Sequence, residues 1–291
     1  MLLEVTSGRF GWLNNNISNA VVPPEFKKAW SQWLSGSIKA LSASPLVTSQ
    51  GANAKVDKQG VHIAISGSTF DYKGRLKIKG GKIIGGDFTE YSRTRPGEDS
   101  IRVTGLAVAA KDMLASIPAL TLPDHIKSEL LSYQGKAPGY SGDLLPGTYG
   151  FGEKDTISSD YQYIRGGGDN DTLTGGASAN FFVFESPDKN GVDTITNFSS
   201  SQGDRLQFDL SYNNAGGFSY GQSVANNGDT SQVGHSDSDA FGTSAERFHF
   251  NIATGALLFD ADGDGIAQTS KQIAILQGVT GLELSDFQFV Y

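Results

Sequence analysis

The chain has 291 residues, 37 of them glycine and none cysteine, with 31 acidic against 23 basic side chains for a net charge of −8. The length suits two domains with well-buried cores, and the glycine content favours turn-dense β structure over helical bundles. The lack of cysteine excludes disulfides, thiol catalysis and Cys-ligated zinc, and no segment approaches the roughly 20 apolar residues of a membrane-spanning helix.

Charge divides unevenly along the chain. Through Pro146 there are 17 Lys and Arg against 12 Asp and Glu, an excess of five basic residues. After Pro146 the counts are 6 against 19, an excess of thirteen acidic ones. A half so rich in aspartate repels itself unless cations neutralise it. The opening MLLEVTSGRFGW has an acid at position 4 and no basic-then-apolar layout, so a cleavable secretory signal is not expected.

The first segment, about 1–135, reads as a small α+β domain. Pro23-Pro24 followed by Glu25 opens a helix, and Phe26, Trp30, Trp33, Leu34, Ile38 and Leu41 recur at helical spacing, as a core stripe rather than a ligand platform. Alternation then takes over: Val61, Ile63 and Ile65, next Leu76 and Ile78 among basic residues, then Lys82–Ile84, Phe88–Tyr91 and Ile101–Val103. Short antiparallel strands with glycine turns follow from this pattern. Lys73, Arg75, Lys77, Lys79 and Lys82 fall mostly on one strand face, read as a solvated surface. Two helices are expected over Leu106–Ile117 and Leu122–Tyr133, with Pro118 and Pro123 between them.

Residues 136–146 are linker-like, and the second domain spans 147–291. At its start, Arg165 to Gly176 (RGGGDNDTLTGG) fits the nine-residue pattern G-G-x-G-x-D-x-U-x, where U is a large apolar residue; that pattern builds parallel β-helices around Ca²⁺. Asp171 takes the acidic position and Leu173 the inward one. The following block, Gly175 to Val183, keeps the register, with Ser178 for a glycine and Asn180 for the aspartate. Ile157, Ile164, Leu173 and Phe182 align as inward residues 7, 9 and 9 apart, giving about four rows. Residues after Phe184 are expected to cap the stack, with strands at Val192–Phe198 and Asp204–Leu210, a polar insertion over 211–245, a hairpin Arg247–Phe259, and final strands at Gln272–Leu276 and Asp286–Tyr291.

The second domain resembles the C-terminal region of RTX (repeats-in-toxin, haemolysin-type calcium-binding) proteins of bacterial type I secretion. The resemblance rests on the order of nonapeptide turns, GVDTITNF, DRLQFDLS, TGALLFDADGDG, KQIAIL and DFQFVY. It implies a mainly β fold with a short parallel β-roll and capping strands. It also implies Ca²⁺ as cofactor, an exporter as partner through the C-terminal region, and a secreted, extracellular or cell-surface location. Asp155, Asp169, Asp171, Asn180, Asp193 and Asp204 are the side-chain candidates for the metal, with Gly166, Gly167, Gly168, Gly175 and Gly176 supplying backbone carbonyls. Asp169 stands where the pattern wants glycine, so a distorted loop is expected there, and Gln162 leaves the row ending in Ile164 without an acid. Asp155 and Asp171 are expected to face each other across one ion. Asp260, Asp262 and Asp264 begin like an EF-hand loop, but Lys271 stands where its bidentate Glu belongs. Two readings stay open for this turn, a calcium ligand set or a solvated acidic turn.

The first domain is loosely similar to secreted haem-capturing proteins, which implies Tyr72 or Tyr91 as iron ligands; strand tyrosines packed in a core are the competing reading. H-E-x-x-H, G-x-G-x-x-G and Walker motifs are absent, and the single G-x-S-x-G match, Gly217 to Gly221, lies in the polar insertion, leaving a carboxylate pair for hydrolysis or polysaccharide modification as the enzymatic alternative. A non-enzymatic binding or adhesion module, monomeric, with a surface polysaccharide or lipopolysaccharide and no nucleic acid as partner, is the expected function of this domain.

Overall fold

The computed structural model describes residues 1–7, 10–11, 22–35, 53–79, 82–95, 100–132, 143–144, 146–210, 218, 230–260 and 270–290. The protein is mainly β. It divides into two compact units, Met1–Ala137 with Gly142–Leu145, and Pro138–Ser141 with Pro146–Tyr291. Among the described residues no helix is long and apolar enough to cross a membrane.

The first unit contains β1 (Leu2–Ser7), β2 (Phe10–Gly11), α1 (Pro24–Ser35), β3 (Asn53–Asp57), β4 (Gly60–Ile65), β5 (Ser68–Lys79), β6 (Lys82–Thr94), β7 (Ser100–Ala109), α2 (Ala110–Ser116), α3 (Asp124–Ser132) and β8 (Asp143–Leu144). Strands β1, β7, β6, β5, β4 and β3 pair in that order, each antiparallel to its neighbour, while β2 pairs with β8. Alternation selects the faces. Val61, Ile63, Ile65, Phe70, Tyr72, Phe88, Tyr91, Ile101 and Val103 are buried, whereas Lys73, Arg75, Lys77 and Lys79 are exposed, as their spacing predicts. Pro24 opens α1 after the Pro23 carbonyl accepts the N–H groups of Phe26 and Lys27, and Phe26 and Trp30 bury one stripe of the helix.

The helix expected from Leu106 starts only at Ala110. Leu106 and Val108 are buried with Ala107 exposed between them, so these residues extend β7 with period two. The side chain of Trp33, like Ile38 and Leu41, lies outside the described residues.

The second unit contains β9 (Gly147–Tyr149), β10 (Thr156–Ser159), β11 (Tyr163–Arg165), β12 (Thr172–Gly175), β13 (Phe181–Phe184), β14 (Asp193–Ile195), β15 (Arg205–Asp209), β16 (Val233–Ser236), β17 (Phe248–Asn251), β18 (Ala256–Asp260), β19 (Ser270–Leu276) and β20 (Phe287–Val290). The chain alternates between two sheets. Strands β9, β11, β13, β15 and β20 run parallel in one. Strands β10, β12, β14 and β19 run parallel in the other, which β18 and β17 extend antiparallel and β16 closes parallel to β17.

The four expected inward rows divide between these two sheets. Ile157 pairs with Leu173, and Ile164 with Phe182, because successive rows belong to opposite sheets. All four side chains are buried, as their period requires. Nor do the strands after Phe184 cap the rows from outside: β14 continues β12 and β15 continues β13 in register, Thr172 opposite Thr194 and Phe182 opposite Leu206. The polar insertion also differs from expectation, contributing β16 and the buried Phe218. Phe218 joins Phe184, Phe208, Phe248, Phe259, Phe287 and Phe289 in one aromatic cluster, where Phe208 and Phe248, on opposite sheets, have ring centroids 4.7 Å apart.

Candidate metal centre

The turns that enter β10, β12 and β14 each place an aspartate two residues before the inward apolar side chain: Asp155 before Ile157, Asp171 before Leu173, Asp193 before Ile195. Parallel pairing in register then stacks the three acids. The Asp155 N–H donates to Asp171 Oδ1 at 2.7 Å, and the Asp171 N–H donates to Asp193 Oδ1 at 3.0 Å. Each carboxylate is thus fixed by the backbone of the preceding turn. Asp155 also closes its own turn, its Oδ2 accepting the Phe151 N–H at 3.2 Å. The two acids expected to face each other across an ion are immediate neighbours in one ladder.

The outer oxygens, Asp171 Oδ2 and Asp193 Oδ2, are buried without a hydrogen-bond partner. Burial raises the Asp171 carboxyl to about 6, with the negative charges of Asp155 and Asp169 adding to it. Burial raises Asp193 to about 8, with Asp171 as the adjacent like charge. Asp155 is raised as well, again first by burial. Buried carboxylates crowded in this way are stable as anions only with a nearby cation or as protonated acids.

Glycine makes the crowding possible. A Cβ on Gly166 would collide with Asp171 Oδ2, and Gly167, at φ 96°, lies so close to the Phe151 carbonyl that a side chain has no room. Asp169 takes φ 66°, the left-handed conformation the pattern reserves for glycine. Asp is one of the few residues that tolerates it. Of the three glycine carbonyls, that of Gly167 accepts Asn190 Nδ2 at 3.2 Å, and the Gly168 N–H donates to the Phe151 carbonyl at 2.8 Å.

A second, shorter ladder lies at β13 and β15. The Asn180 N–H donates to Asp204 Oδ1 at 2.9 Å, while Asp204 Oδ2 accepts the Ser199 N–H at 2.9 Å. Asn180 Nδ2 donates to the Tyr161 carbonyl at 2.9 Å, and its Oδ1 is buried without a partner. Gly175 faces Asn180 with no space for a Cβ, yet its N–H and carbonyl both bond the Asn197 amide. Gly176 packs on Asp160. Asp260 is buried at the end of β18, its N–H on the Arg247 carbonyl, whereas Asp262 and Asp264 lie outside the described residues.

The donor set fits a hard cation in one respect and limits it in another. Unpartnered carboxylate and amide oxygens beside glycine-rich turn backbone suit Ca²⁺, which takes six to eight oxygens. Among the described residues no group of three or more His, Cys, Asp or Glu side chains is placed to hold one ion by itself. Any ion here therefore takes most of its ligands from backbone carbonyls.

Sequence reasoning missed the asparagines that tie turn to turn. Buried Asn190 accepts the Glu185 and Ser186 N–H groups at 2.9 and 2.8 Å, and Asn170 accepts the Val192 N–H at 2.8 Å. Their signal was available, since Asn190 follows Glu185 by the same five residues that separate Asp204 from Ser199 and Asp171 from Gly166. Also missed was the cluster Ser236, His249 and Glu246. His249 Nδ1 lies 2.9 Å from Glu246 Oε2, and its Nε2 lies 3.1 Å from Ser236 Oγ. The spacing imitates a hydrolytic triad. However, Nε2 also sits 3.0 Å from the Ser238 carbonyl, which competes with Ser236 for that nitrogen. The cluster anchors the turn before β17.

Tyr72 and Tyr91 are a cross-strand pair with ring centroids 5.1 Å apart, both fully buried and both with unpartnered hydroxyls. Burial raises both phenols far from ionisation. Iron ligation through either would require opening the core of the first unit.

No protein-family model matches this chain, and neither a curated protein nor a solved structure matches it.

Proposed function

We propose that the protein is a secreted calcium-binding protein of the repeats-in-toxin class, whose second unit is a short parallel β-roll that folds on Ca²⁺ after type I export. The observation that carries this reading is the ladder Asp155–Asp171–Asp193, with the outer oxygens of Asp171 and Asp193 buried and unpartnered. In a cell with little free calcium the acidic half repels itself and remains open for an exporter engaging the C-terminal region. Outside, ions neutralise the ladder, and binding free energy becomes folding free energy. The first unit is then the delivered module, for binding or adhesion. Its solvent-facing sheet surface carries Lys73, Glu90, Arg102 and Glu4 in a chain of ion pairs of 2.6–3.1 Å, chemistry suited to a polar surface ligand such as a polysaccharide or lipopolysaccharide.

Titration of the metal-free protein with Ca²⁺, followed by calorimetry and circular dichroism, tests the reading. Heat release and a gain of β signal are expected. Asp171→Ala weakens both, and Asp237→Ala, at an exposed position beyond β16, leaves both unchanged. Silence at millimolar Ca²⁺ would refute it.

A further inference from the structure

The first unit carries a separate constellation on the solvent face of β3, β4 and β5. His62 Nδ1 is 2.7 Å from Asp71 Oδ1, its neighbour in the β4–β5 register. The other ring nitrogen, Nε2, faces Asp57 Oδ2 at 3.7 Å, beyond a hydrogen bond. Asp57 is itself fixed: its Oδ1 accepts the Gln59 and Gly60 N–H groups at 2.8 and 3.2 Å in the β3–β4 turn. That leaves Oδ2 between the imidazole and the Lys55 ammonium. A groove of about 240 Å³, lined in part by Asn53, Lys55, His62, Thr69 and Asp71, opens beside the pair.

A carboxylate that accepts one imidazole N–H fixes the tautomer and turns the opposite nitrogen outward as a metal ligand. Asp71 holds His62 in this way. The gap between Nε2 and Asp57 Oδ2 is too long for direct bonding and matches the separation of two ligands sharing one small ion, each about 2.0–2.2 Å from it. Imidazole with carboxylate selects a borderline divalent ion rather than calcium. We propose that His62 Nε2 and Asp57 Oδ2 bind a zinc-class divalent cation, with Asp71 as the positioning residue. With two protein ligands the remaining positions are left to water or to an oxygen donor of a bound ligand. Lys55 Nζ, 3.4 Å from Asp57 Oδ2, is a cation the metal must displace.

The test is calorimetric titration of the full chain with Zn²⁺ under saturating Ca²⁺, so that the aspartate ladder is filled beforehand. One site is expected. His62→Ala abolishes it. Asp57→Asn, which keeps the turn-closing oxygen, weakens it at least tenfold, and Asp71→Asn weakens it by about 10- to 100-fold. Lys55→Ala strengthens it, whereas His125→Ala and His235→Ala, which remove exposed histidines elsewhere, change nothing. Circular dichroism and Tm of each variant separate loss of the site from loss of the fold. No heat at millimolar Zn²⁺, or wild-type binding by a folded His62→Ala protein, overturns the assignment.

Discussion

Asp171 donates its backbone N–H to Oδ1 of Asp193 at 3.0 Å, so the residue that locks the second turn is held by the acid of the third. This bond and the one from the Asp155 N–H to Asp171 Oδ1 hold the two carboxylates with their second oxygens buried and unpartnered. Two like charges in that position oppose folding without a cation and favour it with one.

Asp193→Asn separates these effects by sign. The amide oxygen keeps the bond from Asp171, and the variant removes the more strongly raised acid. Above about pH 7 in chelator the variant is expected to melt higher than wild type. In Ca²⁺ the order reverses, because the gain from ligand binding, RT ln(1 + [L]/Kd), shrinks. Differential scanning calorimetry in the two buffers checks both halves.

The raised acids also set a pH dependence. Asp171 at about 6 and Asp193 at about 8 bind protons more tightly when folded than at the ordinary 3.8 of the unfolded chain. Their protonated contribution is complete below about pH 4 and is lost as pH rises through 6 and then 8, with a slope of up to about 1.4 kcal/mol per pH unit per group. The Tm in chelator should therefore fall across this window as far as these two groups govern it. Saturating Ca²⁺ should flatten or reverse the fall, since the ion needs the deprotonated form.

Gly166→Ala pushes a methyl into Asp171 Oδ2. A loss of about 1–3 kcal/mol in urea unfolding is expected, together with a weaker calcium response. Gly152→Ala, where a Cβ meets open space, serves as the tolerant control.

Tyr72→Phe and Tyr91→Phe each delete a buried hydroxyl that has no partner. Neither should destabilise, and a gain of up to about 1 kcal/mol in thermal or chemical unfolding is expected for each. Added haemin should leave the wild-type and variant spectra alike, without a tyrosinate–iron band.

The sequence exposed the inward positions of the second unit well, because a buried Ile157, Leu173 or Phe182 leaves a periodic trace. It did not reveal that alternate rows belong to different sheets. Spacings of 7 and 9 look the same for one column or two, and only the pairing of Ile157 with Leu173 distinguishes them. The aspartates were legible through their fixed offset from glycine and from the inward residue. The Ser236–His249–Glu246 cluster was not, since its contacts join residues whose spacing carries no period. In the first unit, alternation located the strands, but Leu106–Ala109 fit helix and strand alike, and packing of β7 beside β6 decided for strand.

The pairing of β19 with β14 and of β20 with β15 has a temporal consequence. Residues 270–290 lie more than sixty positions beyond the strands they complete, and both parallel sheets in the second unit stay unfinished until those residues arrive. Closure across such separations is slow. A chain emerging from a ribosome can therefore form its glycine–aspartate turns early but cannot latch them. The two pairings act as a delay built into chain order, each parallel ladder being completed only by residues 270–290.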